Sequence, residues 1–285
     1  SSRKLTITLN TNYLIDSLIT HTFKIMFANK VVIITGASSG IGAETAIEFS
    51  KLDANLVLTG RRKEELEKVS EKCIKNSPKN LKPVVVIADM NKEADVENII
   101  KETIDKFQRL DILVNNAGIL EVGSIETTSL AQYDRVMQTN VRSPYHITML
   151  AVPHLLKTKG NIVNVSSVVG LRSFPNVLSY CMSKSALDQF TRCIALELGP
   201  KGVRVNAVNP GVIATGIHMK GEVGGMSEQE YEIFLKKCAE THVLGRAGEA
   251  KEVSSVIIFL ASDGASNITG ATIPVDGGRH AMCPR

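Results

Sequence analysis

From Lys30 onward, short runs of aliphatic and β-branched residues alternate with longer stretches in which apolar positions recur every three or four residues. The runs at 31–35, 55–59, 84–88, 112–115, 161–165, 203–208 and 271–275 are nearly continuous in apolar character, which predicts strands covered on both faces. The stretches at 41–51, 63–76, 92–107, 130–156, 179–198 and 250–261 carry helical periodicity. Strands that alternate with helices pair in parallel, because each crossover returns the chain to the same edge of the sheet. The pattern therefore predicts an α/β fold, a single doubly wound domain whose seven-stranded parallel sheet has helices on both faces.

Two segments depart from this rhythm. Residues 1–27 are rich in Ser, Thr and Asn, with one acid (Asp16) and three bases (Arg3, Lys4, Lys24), and Met26 stands directly before the first strand. They read as a leader or N-terminal extension, leaving 28–285 as the domain. As a transit peptide they would direct the protein to mitochondria; otherwise a cytoplasmic location is expected. Between Val212 and Thr241, Gly221, Gly224 and Gly225 interrupt a helix-prone stretch, as in a lid over a functional site.

Charge and cysteine content narrow the function classes. Lys+Arg 33 against Asp+Glu 29 leaves a dispersed +4, without the basic block of a nucleic-acid or membrane-surface binder. No apolar run approaches the roughly 20 residues needed to cross a bilayer. Cys73, Cys181, Cys193, Cys238 and Cys283 are an odd set without C-x-x-C spacing, which argues for reduced thiols and against structural zinc. His146, His154, His218 and His242 show no metal-like or triad-like spacing and read as packed or surface residues. The expected partner is a small molecule.

The first candidate chemistry follows the first strand. Gly36-Ala37-Ser38-Ser39-Gly40-Ile41-Gly42 joins that strand to a helix, where glycines let the backbone approach a pyrophosphate and the helix N-terminus favours its charge. Its spacing, G-x-x-x-G-x-G, resembles that of the classical short-chain dehydrogenase/reductase family. Tyr180-x-x-x-Lys184 opens a predicted helix, an i, i+4 pair on one face about 6 Å apart along the axis. Ser167 lies thirteen positions before Tyr180, the family's spacing for its catalytic serine. The adjacent Ser166 should point to the other side of the strand.

The resemblance covers about residues 29–278 and implies a Rossmann fold with a nicotinamide cofactor. It implies that Ser167, Tyr180, Lys184 and Asn140 are catalytic, with Asn140 holding a water on a proton relay. It assigns the cofactor to Gly36, Ser38, Ser39, Gly40, Ile41, Gly42, Asp89 at the adenine edge, Asn116-Ala117-Gly118, Tyr180, Lys184 and Pro210-Gly211, with Ile213 and Thr215 on the nicotinamide carboxamide and phosphates. Where an acid would hold the adenosine ribose, the second strand ends at Gly60-Arg61-Arg62. A guanidinium there suits the 2′-phosphate of NADP(H), and Arg61 is the expected contact.

The chemistry accounts for the residue types. A free phenol titrates near 10, so a neighbouring Lys184 ammonium is expected to bring Tyr180 toward neutral pH, while Ser167 donates to the substrate oxygen. Apolar residues of the presumptive lid (Ile217, Met219, Val223, Met226) and strand exit (Val168, Val169, Leu171, Phe174) point to a lipophilic ketone or secondary alcohol. A catalytically idle NADP-binding sensor or scaffold is the alternative, although it would need none of the proton chemistry. The resemblance also implies a homotetramer or homodimer built on helices 130–156 and 179–198.

Overall fold

All five residues of β1 (Val31–Thr35) are buried, as a central parallel strand sandwiched between helix layers requires. β2 (Asn55–Gly60), β3 (Val84–Ile87), β4 (Ile112–Asn115), β5 (Asn161–Val165), β6 (Arg204–Pro210) and β7 (Thr272–Val275) complete the sheet in a computed structural model that describes residues 27–219 and 225–282. Every pairing is parallel, in the order β3-β2-β1-β4-β5-β6-β7. This is the seven-stranded Rossmann sheet that the sequence pattern predicts. The order reverses between β1 and β4, and at such a switch point a crevice opens beyond the C-terminal ends of the strands.

Alternate side chains of each strand feed two separate cores. Val32 and Ile34 of β1 join Ile112 and Val114 of β4 on one face, beneath α1 (Gly40–Ser50), α2 (Lys63–Asn76) and α8 (Ala250–Ala261). Val31, Ile33 and Leu113 point the other way, toward α3 (Glu93–Phe107), α5 (Ser143–Thr158) and α6 (Leu178–Leu198). Two-sided burial explains why the strands read as unbroken apolar runs.

A polar chain crosses the second core. Asn115 donates to Thr148 Oγ1 (3.0 Å) and Asn164 Oδ1 (2.9 Å), and Asn164 donates to Thr191 Oγ1 (2.8 Å). It joins β4 and β5 to α5 and α6 and holds the strand ends that border the crevice in one register.

Three local readings need correction. The stretch 130–156 is not one helix: α4 (Leu130–Met137) passes through a π-helical segment, Gln138–Arg142, before α5 begins. The π segment carries Asn140, and such bulges redirect side chains within a continuing helix. The second correction is α7 (Glu228–Thr241), which occupies the last 14 residues of the stretch read as irregular. Its start is written in the sequence as Ser227-x-x-Glu230, and both halves of that capping box form. Gly221, Val223 and Gly224 of the expected lid lie outside the described residues, as do positions 1–26 and Cys283.

Phe27 is the third. Assigned to the leader by sequence, it is buried in the first core and meets Phe49 edge-on, with ring centroids 5.2 Å apart. Replacing a buried phenylalanine by alanine removes about 3 kcal/mol or more through lost burial and the cavity left behind. Phe27→Ala should therefore lower the urea-unfolding free energy of the full chain by that order; a loss under about 1 kcal/mol would return Phe27 to the extension.

Candidate active site

Thr35, the last residue of β1, ties the glycine turn to the neighbouring strand. Its Oγ1 accepts from the backbone N–H groups of Asn116 and Ala117, both at 2.9 Å, while Asn116 Nδ2 donates to Thr35 O (2.8 Å) and Gly36 O (3.2 Å). Gly36 has φ +66°, where an L side chain is strained, and a Cβ on Gly42 would stand 2.4 Å from Asn116 Nδ2. The turn is thus a cradle that side chains would fill. α1 opens at Gly40 with no side-chain cap from Ser39 and no acid in its first turn, so its N-terminus favours a phosphate. These features fit a dinucleotide pyrophosphate.

A cleft of about 730 Å³, measured to its open mouth, lies over the switch point. Ile41, Asn116, Gly118, Ser167, Tyr180, Lys184, Pro210, Gly211, Ile213 and Thr215 all line it. Gly36, Ser38, Ser39, Gly40, Gly42, Ala117, Asn140, Arg61 and Asp89 do not. The glycines still abut it, since a Cβ on Gly40 would stand 3.2 Å from the Thr215 methyl carbon. Asp89 lies at the end of β3, where its Oδ1 accepts from Asn91 N (3.0 Å).

Arg61 and Arg62 are both exposed. Arg62, which was not singled out by sequence, reaches the turn: its Nη2 donates to Ser38 Oγ (3.0 Å) and Ser39 Oγ (2.9 Å). Arg61 makes no side-chain hydrogen bond among the described residues. The two guanidiniums therefore stand differently: Arg62 is bound to the hydroxyls of the phosphate turn and Arg61 projects beside it.

The two serines at the end of β5 diverge as strand alternation requires. Ser167 lies in the cleft and interacts with the Tyr180 phenol, whereas Ser166 donates to Lys184 O at 3.2 Å and interacts with the carboxyl of Asp188 on α6. Tyr180 and Lys184 share one face of α6, with the Lys184 Nζ 5.7 Å from the centre of the phenol ring. Lys184 is 4% exposed and donates to Val165 O at 2.9 Å. A Cβ on Gly118 would stand 3.5 Å from that ammonium and 3.2 Å from Asn140 Oδ1, so this glycine makes room for both.

Asn140 is 1% exposed and its amide is committed to protein. Its Nδ2 donates to Ile119 O (2.9 Å) and Ser183 Oγ (3.0 Å), and its Oδ1 accepts from Ile119 N (2.9 Å). The side chain therefore braces the loop after β4 against α6, and holding a relay water would fall to other atoms.

Asp188, one turn beyond Lys184, went unnoticed in the sequence because its role depends on β6. Asn209 Nδ2 donates to both Asp188 oxygens, at 3.1 and 3.0 Å, and to Ser167 O at 2.9 Å. A Cβ on Gly170 would stand 2.4 Å from Asp188 Oδ2. The carboxylate is thus enclosed behind the catalytic face, opposite the ammonium in charge.

Burial dominates the proton affinities. The Tyr180 phenol is pushed up to about 12, with the Ser167 hydroxyl working against that rise. Loss of hydration thus opposes the expected lowering, while the Lys184 ammonium lies beside the ring and donates to a backbone carbonyl. Lys184 is pushed down to about 8 by burial, with Asp188 pulling it back. His218 also lines the cleft, in contact with the rings of Tyr231 and Phe234, and is lowered to about 4 by burial and by the charge of Arg279.

Comparison with known proteins gives the same placement. A family model described as enoyl-(acyl carrier protein) reductase matches residues 36–280. The meso-2,3-butanediol dehydrogenase of Serratia marcescens is 39% identical over 255 residues, covering 90% of this chain and 96% of that protein. The 3-oxoacyl-[acyl-carrier-protein] reductase of Thermotoga maritima is 35% identical over 250 residues, 87% and 97% of the two chains. A crystal structure from Caenorhabditis elegans, a short-chain dehydrogenase/reductase of unknown function with cofactor, superposes with TM-score 0.82 at 37% identity, covering 90% and 97%.

The depressed Lys184 has a consequence for stability. Between pH 8 and its ordinary 10.5, the unfolded chain binds a proton at this position that the native state does not, so unfolding free energy rises with pH through that window. Lys184→Met removes this component. The wild type should gain about 2 kcal/mol on the variant between pH 8 and pH 10 in urea titrations, following the size of the shift. A constant difference across that range would show an ordinary, solvated lysine.

Proposed function

The chain belongs to the classical short-chain dehydrogenase/reductase family, and on that footing we propose that it is an NADP(H)-dependent oxidoreductase interconverting a ketone and a secondary alcohol. The observation that carries this reading is the convergence of Ser167, Tyr180 and Lys184 in one cleft that borders the glycine cradle. The names of the butanediol dehydrogenase and the 3-oxoacyl reductase describe the same pair of functional groups.

The glycine turn, Ile41, Asn116, Ile213 and Thr215 would hold a nicotinamide dinucleotide, which would supply or accept the hydride. Tyr180 carries the proton side of the reaction. With its affinity raised to about 12, the phenol is protonated at neutral pH and ready to donate to a carbonyl oxygen placed beside it. Ser167 donates a second hydrogen bond to that oxygen as negative charge grows on it. The phenolate left behind faces the Lys184 ammonium, which opposes the burial penalty on the negative form. In the alcohol-oxidising direction the same phenolate takes the hydroxyl proton. Asp188 and Asn209 keep the ammonium charged by balancing it from the far side.

Preference for the 2′-phosphorylated cofactor follows from what ends β2. Gly60 offers no carboxylate to repel the phosphate, Arg61 is exposed and makes no side-chain hydrogen bond among the described residues, and Arg62 spans Ser38 and Ser39. The substrate portion of the cleft has aliphatic walls at Leu120, Val168, Val169 and Ile217. Leu171 and Phe174 of the expected apolar set do not line it, and Leu171 is exposed.

Two measurements test the proposal. Tyr180→Phe should reduce kcat by about 1,000-fold, within the usual contribution of a positioned acid, while NADPH affinity in a fluorescence titration changes less than about threefold. Turnover at the wild-type rate would remove Tyr180 from the mechanism. Arg61→Ala should raise the Michaelis constant for NADPH by about 10-fold, the worth of a charge-assisted bond, and leave that for NADH unchanged. A wild-type preference for NADH would overturn the assignment of the arginines.

A further inference from the structure

The cleft holds a cation that the reaction above does not use. Arg279 begins the short turn Arg279–Ala281 after β7, and its side chain lines the same cleft as Ser167 and Tyr180. The turn is built to stay there. Asp276 accepts from the backbone N–H groups of Gly278 (3.0 Å) and His280 (2.6 Å) and from His280 Nδ1 (2.9 Å). From the loop after β5, Arg172 donates to His280 O at 2.8 Å and to Met282 O. Gly278, at φ +79°, turns the backbone where a Cβ would stand 2.9 Å from Val243.

The guanidinium itself is left without an acceptor. Among the described residues it makes no hydrogen bond or ion pair, and its Nε is buried with no partner. Phe174 lies against it, 4.6 Å from ring centre to guanidinium carbon, which favours the cation but accepts none of its N–H groups in the plane of the fork. The groups around it offer it no acceptor. Asp276 attracts it across space, as Asp188 attracts Lys184, but its oxygens are bonded to the turn; Cys238 is kept a neutral thiol by burial, and His218 is neutral above about pH 4.

We propose that Arg279 anchors a carboxylate, so that the substrate is an oxo acid or the matching hydroxy acid, with its carbonyl at Tyr180 and Ser167. This rests on the hydride-transfer reading of the cleft and extends it to a substrate class. A carboxylate matches the planar fork through two parallel hydrogen bonds. It brings one negative charge into the cleft, whereas a phosphate would bring nearly two. The aliphatic walls at Val168, Val169 and Ile217 suit a hydrocarbon segment between the two polar ends.

The test compares 2-, 3- and 4-oxopentanoate with their methyl esters, using NADPH-loaded wild type, Arg279→Leu and Arg279→Lys. At least one acid should exceed its ester in kcat/KM by tenfold or more in the wild type. Arg279→Leu should collapse that ratio at least tenfold, chiefly through KM, with Arg279→Lys between the two. Equal use of acid and ester by the wild type, an unchanged ratio in Arg279→Leu, or a loss in that variant that falls on NADPH affinity instead, would overturn the proposal. Calorimetric binding of pentanoate, which has no carbonyl to reduce, separates this from the reaction. Binding that Arg279→Leu abolishes supports the anchor even if no ketone turns over, a failure that would then belong to the hydride-transfer reading. No binding to the wild type overturns the anchor itself.

Discussion

An ammonium removed from water must be matched by the protein around it, and Lys184 is matched from three directions. Val165 at the end of β5 accepts its proton, the Tyr180 ring lies beside it, and Asp188 balances its charge from the next turn of α6. None of these partners is useful unless the others are in place. Asp188 is itself tolerable only because Asn209 on β6 donates to it, Ser166 just past β5 interacts with it, and Gly170 leaves room for it. The site therefore depends on the pairing of β5 with β6 and on the docking of α6 against both. The chain of Asn115, Asn164, Thr148 and Thr191 enforces the same alignment from within the core.

Enclosure also sets the proton chemistry. The same desolvation that lowers Lys184 raises Tyr180, so both shift toward their neutral forms; at neutral pH the phenol keeps its proton and the lysine, at about 8, keeps its charge. A donor in that state is suited to meeting a carbonyl oxygen whose negative charge develops only during reaction. The cation's contribution lies in opposing the penalty on the phenolate that forms. Across the cleft Arg279 stands in a different condition, a charge whose N–H donors meet no acceptor among the described residues. Two cations in one cleft are thus distinguished by their surroundings: one is balanced by the fold, and the other awaits an acceptor from outside.

Much of this was legible in the order of residues. Seven apolar runs announced seven strands because two-sided burial leaves no polar face to break them. The i, i+4 spacing placed Tyr180 and Lys184 together, and alternation along a strand separated Ser167 from Ser166. The start of α7 was legible too, in Ser227 and Glu230, but the glycines upstream drew the segment into an irregular reading. Phe27 was misplaced because a single aromatic next to a polar stretch carries no periodicity of its own.

Local pattern thus determined the strands, the glycine turn, the pairing of Tyr180 with Lys184 and the divergence of Ser167 from Ser166, since each follows from backbone conformation or from near neighbours in the chain. Tertiary structure alone decided the rest. The enclosure of Asp188 by Asn209, the reach of Arg62 to Ser38 and Ser39, and the arrival of Arg279 beside Tyr180 join residues between 21 and 99 positions apart. The proton affinities belong to the same class. They are set by how much water the packed helices exclude, and exclusion of water is a property of the assembled layers that no stretch of the chain possesses by itself.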